Sequence, residues 1–169
     1  MGDVFKEQIV KKEPNTMDSL KKAGIIILAV ILILLAFNFI PPFAPVLSLA
    51  IGFGAYMLMS FLNIEYEYVF TNGDLDIDII YNRSRRKRLM TVNMKEIEVM
   101  AHIEDKVHAG DFSSAQETLD YSSGKPNENT YAFLTTFRSK KVKVIIEPNE
   151  KLLTSIAAVV SRRKIFLRK

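Results

Sequence analysis

The chain has 169 residues, with 23 Lys and Arg against 19 Asp and Glu and a formal net charge of +4. That is enough for one modest domain with an appendage, and too little positive charge for a dedicated nucleic-acid binder. Cysteine is absent, which excludes disulfides and thiolate chemistry and suits a cytosolic face.

Residues 1–20 form a short charged head, MGDVFKEQIVKKEPNTMDSL. Val4, Phe5, Ile9 and Val10 give a weak helical stripe, expected to lie along a membrane surface or on the following domain. Lys6 stands where N-myristoylation requires Ser or Thr, so Gly2 is not an acyl acceptor. Pro14-Asn15-Thr16 ends any such helix, and the side-chain oxygen of Thr16 or Asp18 offers a cap for the next.

Residues 21–64 hold two apolar runs, about 22–40 and 43–63, and from Ala23 to Ile64 there is no Asp, Glu, Lys, Arg or His. Pro41-Pro42 breaks them, since proline lacks the amide proton a helix needs. At 1.5 Å per residue the first run is ~27 Å of helix, close to a ~30 Å hydrocarbon core. The run is too long for the ~7–15-residue core of a secretory signal. In the second run Ala44, Ser48, Gly52 and Ala55 make a small-residue face that lets helix backbones approach. It is expected to receive the first helix; a homo-oligomer or a partner membrane protein is the other occupant. No ionisable group lies within the runs, which argues against a pore or transporter. Lys11, Lys12, Lys21 and Lys22 precede the hairpin, and Lys and Arg are abundant after it. The positive-inside rule then predicts a multi-pass protein of the cell membrane, both termini cytoplasmic.

From residue 65 onward the period becomes that of strands. Tyr66, Tyr68 and Phe70 alternate with Glu65, Glu67 and Val69; Asn72-Gly73 follows, and then Leu75, Ile77 and Ile79 alternate with Asp74, Asp76 and Asp78. Asn-Gly favours a two-residue hairpin because both positions accept positive φ. That turn pairs Phe70 with Leu75, Tyr68 with Ile77 and Tyr66 with Ile79 on one apolar face. Arg83–Arg88 is expected at the tip of the next connection, followed by strands near 89–94 and 97–103. Residues 104–117 show no period. A short strand at 118–122, a loop, strands at 130–137 and 141–146, and a helix capped by Asn149 complete the chain.

No constellation of catalytic residues emerges. Asp74, Asp76 and Asp78 lie at strand spacing, and Ile79 occupies the position where a calcium loop needs glycine, so they read as a solvated strand face. His102 and His108 lack metal-ligand spacing and read as surface residues. Ser122-Ser123 has no identifiable base. The reading is non-enzymatic, with no cofactor and no metal. What remains is basic clustering: Arg83, Arg85, Arg86, Lys87 and Arg88; Arg138, Lys140 and Lys141 around a turn; and Arg162, Arg163 and Lys164 near the end. These are candidate contacts to anionic lipid or an acidic partner, weighed against ordinary solvated turns.

About seven antiparallel strands closed by a C-terminal helix are the plan of a pleckstrin-homology-like barrel. Residues 65–169 resemble bacterial PH-like domains through YEYVFTNGDLDIDIIYN and the helix after IIEPNEKLL. Over its whole length the chain is similar to a two-transmembrane-helix family of Gram-positive bacteria, in FKEQIVKK, the paired spans, DYSSG at 120–124 and EPNEKLL at 147–153. The resemblance implies an architecture and no chemistry. The expected function is a membrane-anchored cytoplasmic adaptor that engages a protein or anionic lipid headgroups through its PH-like domain. The alternative is a structural subunit of a membrane complex assembled through the hairpin.

Overall fold

A computed structural model describes residues 5–167. Val4 of the predicted stripe and the terminal Arg168 and Lys169 lie outside the described residues. The chain divides into two units. One comprises residues 14–64 with 81–84; the other holds residues up to Glu13, 65–80 and 85–169.

The first unit is a helical hairpin: α1 (Thr16–Phe39), a 3-10 turn at Pro41–Phe43 and α2 (Ala44–Ser60). Both helices are long and apolar enough to cross a membrane. Asn15, not Thr16 or Asp18, is the N-cap of α1: its side chain accepts from backbone amides while Asp18 reaches back to the Asn15 amide at 3.3 Å. The capping box starts α1 about two turns before the uncharged stretch that begins at Ala23. The less exposed positions of α1 include Lys22, Ile25, Ala29, Ile33 and Ala36; those of α2 include Ala44, Ser48, Ile51, Ala55 and Met59. Ala44 is fully buried, and Ser48 Oγ donates to the Ala44 carbonyl at 2.7 Å, which satisfies a hydroxyl in an apolar setting.

The second unit carries two sheets. The first, in order β1-β2-β3-β4, is built from β1 (Phe5–Lys11), β2 (Ile64–Thr71), β3 (Asp74–Tyr81) and β4 (Arg85–Asn93). The second, in order β6-β8-β7-β5-β9, is built from β5 (Val99–His102), β6 (Glu117–Asp120), β7 (Tyr131–Phe137), β8 (Lys140–Ile146) and β9 (Ile165–Phe166). The helix α3 (Glu150–Val159) follows β8, with Asn149 Oδ1 accepting from the Leu152 amide at 2.9 Å.

The architecture corrects three expectations. The stripe at Phe5, Ile9 and Val10 is not helical: β1 pairs antiparallel with β2 from Phe5↔Thr71 to Lys11↔Glu65, so the alternation that buries Val10 and exposes Ile9 has period two. Nine strands are present among the described residues rather than about seven, and two pairings are parallel, β6 with β8 and β5 with β9. The sheets do not close into a barrel; β4 ends one and β6 ends the other.

The first hairpin keeps the turn its sequence demands. Asn72 and Gly73 both have positive φ, 54° and 106°, and Tyr66, Tyr68, Phe70, Leu75, Ile77 and Ile79 are all buried. Met90, Met100, Phe133, Leu134, Val144 and Ile146 add to the same core, with Leu152 and Ile156 contributed by α3.

Candidate functional site

The basic run at 83–88 begins in a turn but mostly lies on a strand. The turn lies at Asn82-Arg83, with φ of 46° and 56°, and Arg85–Arg88 already belong to β4. Two of these arginines are consumed by ion pairs. Arg86 Nη2 lies 2.6 Å from Glu67 Oε1, and Arg88 holds Asp76 at 2.6 Å and also Asp78. Asp78 is buried, so the solvated-face reading fails there: it and Asp76 anchor Arg88. Glu67 is fully buried, and its Oε2 has no hydrogen-bond partner among the described residues. Burial above all pushes the Glu67 carboxyl up; Arg86 opposes that shift, and the Glu7 and Asp78 carboxylates add to it.

The other clusters separate in the same way. Lys141 pairs with Glu98 at 2.8 Å, and Lys143 lies over the Phe112 ring. Arg162, Arg163 and Lys164 lead into β9, at the edge of the second sheet opposite β6. What converges is Lys87 and Arg88 from β4 with Arg138 from the β7–β8 turn and Lys140 at the start of β8, around a groove of about 400 Å³. Its floor is Leu89, Leu119, Tyr121, Phe137 and Val142, and Glu117 is the one carboxylate in the lining. Arg138 lies over the Phe137 ring at 5.1 Å, which sets its charge on an apolar surface. Sequence reasoning missed the floor. Phe137 and Val142 lay in predicted strands, and Leu119 in a strand of four residues, but nothing local linked them to β4.

A second constellation centres on Glu147. Its carboxylate accepts from the Ser123 amide at 3.0 Å and from Asn127 Nδ2 at 2.6 Å. Its carbonyl accepts from Gln8 Nε2 at 2.8 Å, and the Gln8 Oε1 accepts from the Asn149 amide at 2.7 Å. Tyr68 donates to the Tyr121 carbonyl at 2.5 Å and accepts from the Glu147 amide at 3.2 Å. Burial pushes the Tyr68 phenol well up, so it keeps its proton and its donor role. The three motifs FKEQIVKK, DYSSG and EPNEKLL thus meet in one network. Ser122 donates to Asp120 Oδ1 at 2.6 Å and accepts from the Gly124 amide, so this serine pair shapes a turn.

The histidines also differ from expectation. His102 is buried. Its Nδ1 accepts from the Glu104 amide and its Nε2 faces the Asn127 carbonyl, a pairing that requires the proton on Nε2. His108 stacks on Phe166 with ring centroids 3.5 Å apart and meets Asp105 at 2.8 Å. No group of three or more His, Asp or Glu side chains able to hold a metal occurs among the described residues.

In α2, Ala44, Ser48 and Ala55 lie on the face turned to α1, whereas Gly52 is exposed and a Cβ built there would meet nothing within 4 Å. The small-residue stripe therefore divides between two faces.

Two sheets packed on a shared core with a C-terminal helix define a PH-like module, here with an apolar helical hairpin between its first and second strands. The family model for a bacterial PH-like domain (DUF6106) matches residues 2–167, and the chain belongs to that family. No curated protein and no solved structure matches the chain.

Proposed function

We propose that the chain is a membrane-anchored, non-enzymatic adaptor whose PH-like domain binds a protein partner or anionic lipid headgroups on the cytoplasmic face. The observation that carries this reading is the groove between the open strands β4 and β6, where Lys87, Arg138 and Lys140 surround an apolar floor. Tethering raises the effective concentration of the domain at the bilayer, so a modest patch suffices for occupancy. The pairing of β1 with β2 supports this reading: these strands precede and follow the hairpin, and a hairpin that crosses twice is the arrangement that lets them pair. The lysines at 11, 12, 21 and 22 favour the cytoplasmic side.

The test is gentle detergent extraction of the full-length protein, followed by mass spectrometry of co-purifying proteins and lipids. A stoichiometric protein or enriched anionic lipid is expected, with reduced recovery from a Lys87→Glu/Lys140→Glu variant. Recovery of neither would defeat the adaptor reading. The second reading, a structural subunit of a membrane complex or a homo-oligomer, draws on the exposed Gly52. It predicts that Gly52→Leu dissolves the assembly while the lysine variant leaves it intact.

A further inference from the structure

We propose that the groove between β4 and β6 takes an extended acidic segment of a protein partner, which adds as a strand to the open edge of β4. This inference rests on the adaptor reading above and names the ligand class. An edge strand offers a row of backbone amides and carbonyls without a neighbour on one side. β4 has nine residues to offer, whereas β6 has four. A chain added there gains affinity from main-chain hydrogen bonds and selectivity from its alternate side chains.

The lining sets what those side chains must be. Lys87, Arg138 and Lys140 make no ion pair among the described residues, and they face a single carboxylate, Glu117. The balance favours an anionic occupant. The floor is apolar, with Leu89, Leu119, Tyr121, Phe137 and Val142 in reach. A lipid headgroup is polar throughout and would leave that floor unused. A strand alternating acidic and apolar residues matches both, with carboxylates toward the rim and apolar side chains toward the floor.

Random peptides of nine residues, the length of β4, are displayed and selected on the full-length protein in neutral-lipid nanodiscs. Selected peptides are then measured for affinity and for their effect on amide exchange. The expected winners lack proline, alternate Asp or Glu with Val, Ile or Tyr, and slow exchange across residues 85–93. Lys87→Glu/Lys140→Glu weakens them by about tenfold or more, and Lys87→Met/Lys140→Met by less. Selection of basic or proline-rich peptides, no selection at all, or affinity indifferent to the lysine changes would overturn the proposal. So would slowed exchange at 85–93 on adding phosphatidylglycerol to the discs with no peptide selected, which assigns the groove to lipid. A partner that co-purifies regardless of Lys87 and Lys140, with no peptide selected, defeats the groove and spares the adaptor reading.

Discussion

Neighbouring charges on β4 have opposite roles. Both line the groove, but Arg88 is held by Asp76 and the buried Asp78, whereas Lys87 makes no ion pair among the described residues. Arg88→Ala leaves Asp78 buried with its partner gone. Because Arg88 is half exposed, the full cost of a broken buried pair is discounted, to about 1–2 kcal/mol, read as a lower urea midpoint. Lys87→Ala leaves that midpoint within about 0.5 kcal/mol. Glu67 gives a pH prediction. Its folded-state carboxyl titrates above the ordinary range, so the stability it contributes is complete below the unfolded glutamate's value and is lost as pH rises through the raised one. Glu67→Gln removes that loss while keeping an oxygen for Arg86. At neutral pH the variant should equal or exceed the parent by about 1 kcal/mol, and the difference should vanish as pH falls into the carboxylate range. Thermal melts across pH check this. A variant less stable at every pH would show that the Arg86 pair outweighs the burial. None of this was legible in the sequence: Glu67 and Asp78 occupy outward positions of alternating strands, and only the arginines of β4 brought across them reveal the difference.

Turns and helix faces show which elements were legible. Asn72-Gly73 announced its hairpin because the residue types match the backbone. The β7–β8 hairpin was equally visible from strand alternation, yet its turn is made by Arg138 and Ser139 at φ of 50° and 65°, where a Cβ is disfavoured. Ser139→Gly should therefore stabilise the protein by about 0.5–1 kcal/mol. Gly73→Ala should destabilise it by about 1–2 kcal/mol, because φ is 106° and the new Cβ would press on Lys95 Cε at 3.2 Å. Paired denaturation curves read both signs at once. In the hairpin, Ala44→Leu inserts volume at a fully buried position and should disturb the packing of α1 on α2, seen as faster proteolysis in detergent. Gly52→Leu leaves that rate unchanged, since its side chain enters open space. Equal sensitivity of the two would refute the division of the stripe. Strand β1 was misread because a short polar segment with apolar residues at 5, 9 and 10 fits a helix as well as a strand, and only its partner β2 decides. Strand β9, two residues long, had no sequence signal.

At the scale of the molecule, order along the chain and order in the sheet disagree. The strand pattern after residue 64 exposed the domain, but a reading in chain order assigned the first residues to a separate head and left the sheets' open edges unseen. Which strands remain unpaired is a property of topology, and the basic residues that meet at the groove come from segments about 50 positions apart, with no local signal linking them. Deleting residues up to Lys11 should strip the edge from β2, remove Gln8 from Glu147 and broaden or abolish cooperative unfolding; a sharp transition at the parental temperature would mean that β1 is dispensable. That same strand links folding to biogenesis. Residues 5–11 leave the ribosome before the hairpin, and β2 emerges only after it. The sheet then cannot be completed until the apolar segments have been accommodated. A chain in which only one span crosses would strand β1 and β2 on opposite sides of the bilayer, leaving β2 as an exposed edge for quality-control proteases. Pairing of β1 with β2 is thus compatible with both apolar helices crossing a membrane or with neither, and incompatible with one crossing alone.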